Sequence, residues 1–560
     1  MKRTRTRGAK IAVALAIVSA LGLSVLAPLA SADPLVDPTL TGTLVVTKYK
    51  ATGTVSNSTG AQATPAPTNA PLGGVEFTVS RVESWEGGAI DLSTEAGWNT
   101  AADLAAAFDA TSGTLPGDAV LATTAPALQV GTTDGATGVV SFLSLPLGLY
   151  YVQENNTPAG VVPSIPFLVT LPMTSPDGSG WMVERDGDGN ATNYIVYTYP
   201  KNDVVTLNKT VNANAAITAG GTLTYTVTGA IPVNEDPDGN AEPITGYVIT
   251  DTLDSALSTN RDNVAVSIVA GDGTTTPLTP DDYVIDVTGK TVTVTLSVDG
   301  RNKLKALAQE TLDDHLDLGY YQVQVTIAAT VASTYAGGTL TNTATLFPDQ
   351  AAVNSGTGLN SNTVTTYYGG VVITKTDDSQ APLAGAQFQV FASETNASAV
   401  SNPLSALPAT GAATDTFTSA ADGTVVIQGL LYNPASTNES HDTTTYGPSC
   451  TTTPNDGTAA RTGTQYWVVE TQAPTGYELQ TDPIAVCIVA ALVSPNGDDL
   501  TSTPSDITVI NYPHNAGFEL PATGEMASRI LLICGVVAIL GAVSFYVIRT
   551  KRTQAQAAAK

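Results

Sequence analysis

Apolar and polar residues alternate with period two over many short stretches of this chain. Thr222–Thr228, Lys290–Ser297 and Tyr321–Ile327 set Leu, Val, Ile or Tyr against Thr, Gln or Ser, with Gly- and Asp-containing turns between the runs. This spacing sends successive side chains to opposite faces of a strand, and many such runs predict antiparallel sandwiches. Helical spacing is rarer. Leu304, Leu307, Leu312 and Leu316 share much of one face of a helix predicted over about Asn302–Leu316, and a second helix is predicted over about Glu95–Ala110. Two continuous apolar runs stand apart, Ile11 to about Leu26 and Ile530 to Ile548. The second, about 19 residues at 1.5 Å rise, spans about 28 Å as a helix, the thickness of a bilayer core.

Both apolar runs carry flanking signals. Lys2, Arg3, Arg5, Arg7 and Lys10 precede the first, and Ala30-Ser31-Ala32 follows it as a small-x-small cleavage site. Residues 1–32 therefore read as a signal peptide, with the mature chain beginning near Asp33. Arg549, Lys551 and Arg552 follow the second run and hold that end in the cytoplasm. The remaining stretch, about 490 residues, is too long for one hydrophobic core and suits three domains. Within it, Pro71–Val79 matches Pro382–Val390, and Tyr150–Gly160 matches Tyr466–Gly476. Each of the latter pair is a strand running into a Pro/Gly loop, so one domain type is used twice, on either side of a different unit. The expected division is 33–202, 203–368 and 369–519, followed by a processing segment 520–560. Joints are expected near Asn202 and near Tyr367–Gly370, with linkers short enough for a stiff rod.

Composition narrows the function. Lys and Arg number 23 against 50 Asp and Glu, a formal net charge of −27. Such a chain repels phosphate backbones, which excludes nucleic acid as a partner class. Only 13% of residues are charged and 42% are apolar, which fits β-structure with neutral polar faces and not disorder. Of three cysteines, Cys534 lies in the spanning run. Cys450 and Cys487 remain in a compartment where disulfides persist, and are expected to pair. His315, His441 and His514 are scattered, no Cys/His cluster suggests a metal site, and no nucleophile–base–orienter set suggests a hydrolase. The acidic loops Asp186–Asn190 and Asn234–Asn240 read as ordinary turns. In the first, Ala191 and Tyr197 stand where an EF-hand loop needs Gly and Glu.

Three strands open alike, Leu44–Lys48, Val204–Lys209 and Val371–Lys375, each carrying a lysine after an apolar run. An ammonium is very rarely buried without a partner. Partners are at hand in each domain. Asn511 closes the final strand of the last domain and Glu470 lies between it and Lys375. Asn342 closes the middle domain and Asp251 lies between it and Lys209. In the first domain Lys48 and Glu154 occupy the matching places. The closing asparagine is Asn202 or Asn193, and Asn202 is preferred because it ends its domain as Asn511 does. An ordinary Lys48–Glu154 ion pair is the other reading of that site.

Leu520-Pro521-Ala522-Thr523-Gly524, an apolar helix and a basic tail occur in the order of a cell-wall sorting signal. Tyr199-Pro200-Lys201-Asn202 resembles the pilin motif, and Tyr466–Tyr477 resembles the E-box. Together these features resemble the major shaft pilins of Gram-positive sortase-assembled pili, closest to the fimbrial shaft subunits of actinobacteria. The resemblance implies an all-β fold of three tandem Ig-like (CnaA/CnaB-type) sandwiches, with a C-terminal transmembrane helix in the precursor. It implies self-formed isopeptide bonds Lys209–Asn342 assisted by Asp251, Lys375–Asn511 assisted by Glu470, and Lys48–Asn202 assisted by Glu154. No cofactor is implied, since proximity supplies the effective molarity. It further implies that a pilin-specific sortase joins the Thr523 carbonyl of one subunit to Lys201 of the next, and that a housekeeping sortase attaches the fibre to peptidoglycan. Other copies of the chain and tip and base pilins would be its partners. The protein would be a surface fimbria rather than an enzyme. The rival expectation is a monomeric wall-anchored adhesin that does not use Lys201. A second pentapeptide, Leu407-Pro408-Ala409-Thr410-Gly411, lies inside the last domain with no apolar helix after it, and is expected to be a loop protected by folding.

Overall fold

The computed structural model describes residues 36–557 apart from 52–57, 111, 237–238, 434–447, 453–459, 490–506 and 515–524. The leader and its cleavage site, His441 and the terminal pentapeptide Leu520–Gly524 lie outside the described residues. What remains is built mainly of strands, as the period-two pattern requires. The strand Gln322–Val331 shows the physical reason: Val323, Val325, Ile327, Ala329 and Val331 are buried while the polar residues between them face outward. Each fully buried Val or Ile stabilises by about 1.5–3 kcal/mol.

Residues 36–202 hold two apolar clusters. One, with Leu44, Val46, Phe77, Phe142, Tyr150 and Val196, lies among the strands. A smaller one, with Leu92, Ala101 and Leu104, forms under the helix Glu95–Ala107, whose N-terminus is capped by Thr94. Strand Gly42–Thr47 runs parallel to Ala191–Thr198 and antiparallel to Val139–Leu145. Strand Glu76–Trp85 pairs with Gly148–Asn156 in a second sheet. Two residues on from the first strand, Tyr49–Lys50 runs parallel to Lys201–Asn202.

The next part of the chain surrounds the largest cluster, which includes Tyr225, Tyr247, Val325 and Leu346. One sheet orders Leu207–Ala215, Thr222–Ala230, Gln322–Val331, Val264–Val269 and Thr275–Pro277, and the other orders Tyr283–Thr288, Thr291–Leu296, Val248–Thr252, Ala344–Phe347 and Leu359–Asn360. The helix here is Val298–Asp313, about a turn earlier than the leucine spacing suggests, because Ser297 caps it by accepting from the Gly300 N–H.

Val364–Asp377 is a single 14-residue strand that runs through the expected joint at Tyr367–Gly370. Its first part pairs with Gly338–Asn342, and its second with Thr424–Tyr432 and, in parallel, with Ile507–Asn511. No linker therefore separates the middle and last sandwiches, which share one hydrogen-bonded strand. The internal repeat is in register: Phe77 faces Glu154 across a strand pair as Phe388 faces Glu470, with an irregularity at the residue before each Phe. Cys450 and Cys487 form a disulfide between two strands that both pair with Arg461–Gln472. Glu525–Ala557 is one helix, and its Cys534–Arg552 stretch is long and apolar enough to cross a membrane.

Candidate functional sites: three buried lysine centres

Lys48, Lys209 and Lys375 are all within 1% of complete burial. Each sits where the first strand of a sandwich lies near its last. The backbone frames around Lys48 and Lys375 match bond for bond. Each lysine N–H donates at 2.8 Å to a turn glycine carbonyl, Gly138 or Gly423. Each lysine carbonyl accepts at 2.9 Å, from the N–H of Leu72 or Leu383.

At the first centre the Lys48 Nζ donates to Glu154 Oε1 at 2.5 Å and to Ser164 Oγ at 3.2 Å. The other oxygen of the same carboxylate, Oε2, accepts from Asn202 Nδ2 at 2.6 Å. One carboxylate thus bridges the amine and the amide. Asn193 is elsewhere, bonded to Thr43 and Glu184. Burial pushes the Lys48 ammonium below its ordinary pKa, against the pull of Glu154.

At the second centre Lys209 Nζ donates to Asp251 Oδ2, and it lies 4.9 Å from the ring centroid of Tyr225. Burial lowers the lysine and raises the aspartic acid, each against the attraction of the other. Asn342 adjoins Asp251 and favours its ionised form. At the third centre Asn511 Nδ2 donates to Glu470 Oε1 and Oε2 at 3.0 and 2.9 Å and to the Glu478 carbonyl at 2.7 Å. Lys375 Nζ donates to the carbonyls of Thr376 and Val509 at 3.0 and 3.2 Å and feels the charge of Glu470. Desolvation again lowers the amine and raises the acid.

All three asparagines are almost wholly buried, and in each the carbonyl Oδ1 lacks a hydrogen-bond partner. An unsatisfied buried acceptor costs about 1–3 kcal/mol. A protonated carboxyl donating to that oxygen would relieve the cost and polarise the amide carbon for attack. The arrangement is suited to joining an amine to an amide under acid assistance.

Comparison with known proteins places the chain in a family. Residues 39–203 match the N-terminal domain, D1, of Gram-positive pilin subunits. The type 1 fimbrial subunit of Actinomyces viscosus is 31% identical over 569 residues, covering 96% of each chain. This chain belongs to the Gram-positive fimbrial subunits. The type 2 fimbrial subunit of Actinomyces naeslundii is 26% identical, again over 96% of both chains. The full-length major pilin SpaD of Corynebacterium diphtheriae has the same fold, with a TM-score of 0.53 at 22% identity over 86% of this chain and 99% of that one. The major pilin SpaA of that organism gives 0.52 at 22% identity over 84% and 100%.

In this pilin Lys201 is not in a free linker. It pairs with Tyr49 in a short strand, and its neighbour Asn202 points into the first centre. It is half-buried. Burial lowers its ammonium below the ordinary lysine value while Glu235 pulls the other way. The acidic loops bind their own backbones: Asp186 accepts from the N–H of Asp188 and Asn190, and Asp236 from that of Asn240.

Sequence reasoning did not find Ser164, whose Oγ donates to Glu154 at 2.7 Å, or the Gln480 N–H, which donates to Glu470 at 2.8 Å. Nor did it find Glu242, which lies near Lys48 and whose carboxyl burial pushes up to about 7. No local motif marks these residues, because each reaches its centre from a separate loop.

Proposed function

We propose that this fimbrial subunit is the major shaft pilin of a sortase-assembled pilus. A sortase thiolate cleaves between Thr523 and Gly524, and the Lys201 amine of the next subunit attacks the resulting thioester. Copies join head to tail through a contact that does not close on itself. A housekeeping sortase then attaches the fibre to peptidoglycan, with tip and base pilins at its ends. The membrane-spanning helix is a temporary tether for the precursor. The observation that carries the reading is the position of Lys201: partly exposed on the surface, yet fixed by a strand pair and by Asn202 in the adjacent buried centre.

We further propose that all three centres mature into isopeptide bonds, Lys48–Asn202, Lys209–Asn342 and Lys375–Asn511, assisted by Glu154, Asp251 and Glu470. Desolvation favours the neutral form of all three amines and of the Asp251 and Glu470 acids. The amine attacks the Asn side-chain carbon, the carboxyl donates to the carbonyl oxygen and moves the proton, and the C–N bond to the amide nitrogen breaks. Each bond expels one ammonia, about 17 Da. The first centre is the most completely assembled of the three. The structure of the SpaA pilin points to a modular pilus assembly and stabilising isopeptide bonds in that protein, which supports the reading.

A Lys201→Ala strain tests the polymer. The ladder of high-mass species that survives boiling in detergent should collapse to a monomer. An unchanged ladder would move the assignment to a monomeric wall-anchored adhesin or to another acceptor lysine. Intact mass of the mature protein tests the cross-links separately, with a deficit of about 51 Da for three bonds after allowing for the disulfide.

A further inference from the structure

The pentapeptide Leu407–Gly411 repeats the terminal one residue for residue. Its structure shows how it is withheld. Leu407 is 4% exposed, and its N–H and carbonyl form a two-bond bridge with Gln428, at 3.0 and 2.9 Å. The Gln428 side chain reaches over and donates from Nε2 to the Pro408 carbonyl at 2.9 Å. A second bridge, Ala406 with Thr414, closes the loop behind it. Only Ala409, Thr410 and Gly411 are exposed. The bond a transpeptidase would cut is therefore in solvent, while the Leu407 side chain is buried and the backbone of Leu407 and Pro408 is held by one glutamine.

The latch is tied to the joint between the last two sandwiches. The residue after Gln428, Gly429, donates its N–H to the Ala336 carbonyl and accepts the Ala219 N–H, both at 2.8 Å and both from the middle sandwich. Its φ of +74° lies in the left-handed region, and a Cβ there would stand 3.0 Å from the Tyr335 carbonyl. Loosening of this joint pulls on the strand position beside the one that holds the pentapeptide.

We infer that Leu407–Gly411 is a latent second donor site for an LPxTG-specific cysteine transpeptidase, closed by Gln428 and opened when the joint at Gly429 loosens. The inference rests on the sortase-substrate reading above. In the open state the enzyme thiolate attacks the Thr410 carbonyl, the Thr410–Gly411 bond breaks, and the Gly411 amine leaves with a proton. An incoming amine then displaces the thiolate. This cut does not sever the shaft. It falls between Lys375 and Asn511, and the bond proposed between them keeps both pieces on the fibre. Thr410 becomes a point where a side branch is attached.

The test uses the whole precursor in detergent micelles, a purified LPxTG-specific sortase and biotinylated triglycine, with peptide mapping of the label. The native chain should be labelled at Thr523 alone. Gln428→Ala and, independently, Gly429→Val should add label at Thr410, at least ten-fold above the native level. Retention of the Cys450–Cys487 disulfide and of the ammonia-loss mass shows that the domain has folded in each variant. Adding Pro408→Ala to Gln428→Ala should remove label from Thr410 but not from Thr523. Label at Thr410 in the native chain as fast as at Thr523 would overturn the latch. Label confined to Thr523 in both single variants would overturn the donor site. No label at either position would overturn the sortase reading and this inference with it.

Discussion

A lysine, a carboxyl and an asparagine are each costly to bury, and this chain buries nine of them in three groups. Taken singly they destabilise. Joined as proposed, they would shed the ammonium charge, and the protonated carboxyl would donate to the unpartnered asparagine oxygen. Glu470→Gln should therefore leave Lys375 and Asn511 unjoined, seen as a mass about 16 Da above the joined native chain: about 17 Da of retained ammonia less about 1 Da for the substitution. The cross-link closes a loop from 375 to 511, so its loss should cost about 5 kcal/mol in the chain-entropy model. For a domain of this size that lowers the melting temperature by roughly 10–20 °C. A second residue-scale effect belongs to Glu242. Its folded-state pKa of about 7 lies above the ordinary 4.5, so the folded chain keeps this proton to higher pH than the unfolded chain does. Its stabilising contribution is complete below about pH 4.5 and is lost as pH rises to about 7. Glu242 keeps some solvent contact, so the change is about 1–3 kcal/mol. Its carboxylate accepts from the Ile165 N–H, which lies in the first sandwich. With the intrinsic base-catalysed rise in exchange divided out, protection at residues 161–165 should fall between about pH 5 and pH 7, and Glu242→Gln should flatten that fall.

Elements explain how much of this was legible in the sequence. Phe77 and Phe388 face Glu154 and Glu470 in the same register, so two stretches of similar sequence announced two similar centres. Lysines closing apolar strands were conspicuous because that residue type is out of place there. Ser164 and the Gln480 N–H were invisible, since a serine or a backbone N–H in a loop carries no mark of what it will meet. The pair of glycines at Gly369 and Gly370 suggested a linker, yet both lie within one strand, and the register slips between them because the facing strand carries an extra residue, Gly429. The disulfide adds an element-scale prediction. It closes a separation of 37 residues, worth about 4 kcal/mol when the chain is otherwise open. Those residues already lie inside the loop from Lys375 to Asn511. They fill only about a quarter of that loop, so Cys450→Ser with Cys487→Ser should cost nearly as much in the native chain as in a Lys375→Ala background, additive to within about 0.5 kcal/mol, measured by denaturant melts of all four proteins.

At the scale of the whole molecule, the proposed bonds decide where tension travels. In the proposed shaft, force would reach a subunit at the Lys201 side chain and leave through Thr523, so residues before 201 would lie off the load path altogether. The Lys48–Asn202 bond then holds the first sandwich on the fibre without carrying the pull. The other two bonds do carry it. Lys209–Asn342 bypasses residues 210–341, and Lys375–Asn511 bypasses residues 376–510, where parallel strands Val364–Asp377 and Ile507–Asn511 would otherwise be sheared apart. A covalent bypass works at any force that spares covalent bonds, whatever the folding free energy of the sandwich around it. Single-molecule pulling between Lys201 and the C-terminal end should therefore show no unfolding step from residues 376–510 in the native protein. Lys375→Ala should release that stretch. With the disulfide reduced, the gain in contour length is about 470 Å, at about 3.5 Å per residue. With it intact, the gain is shorter by roughly 130 Å, because the loop between Cys450 and Cys487 stays closed. In assembled fibres pulled end to end, Lys48→Ala should give the native trace. A new extension there would put the first sandwich in the load path and rule out Lys201 as the linkage between subunits.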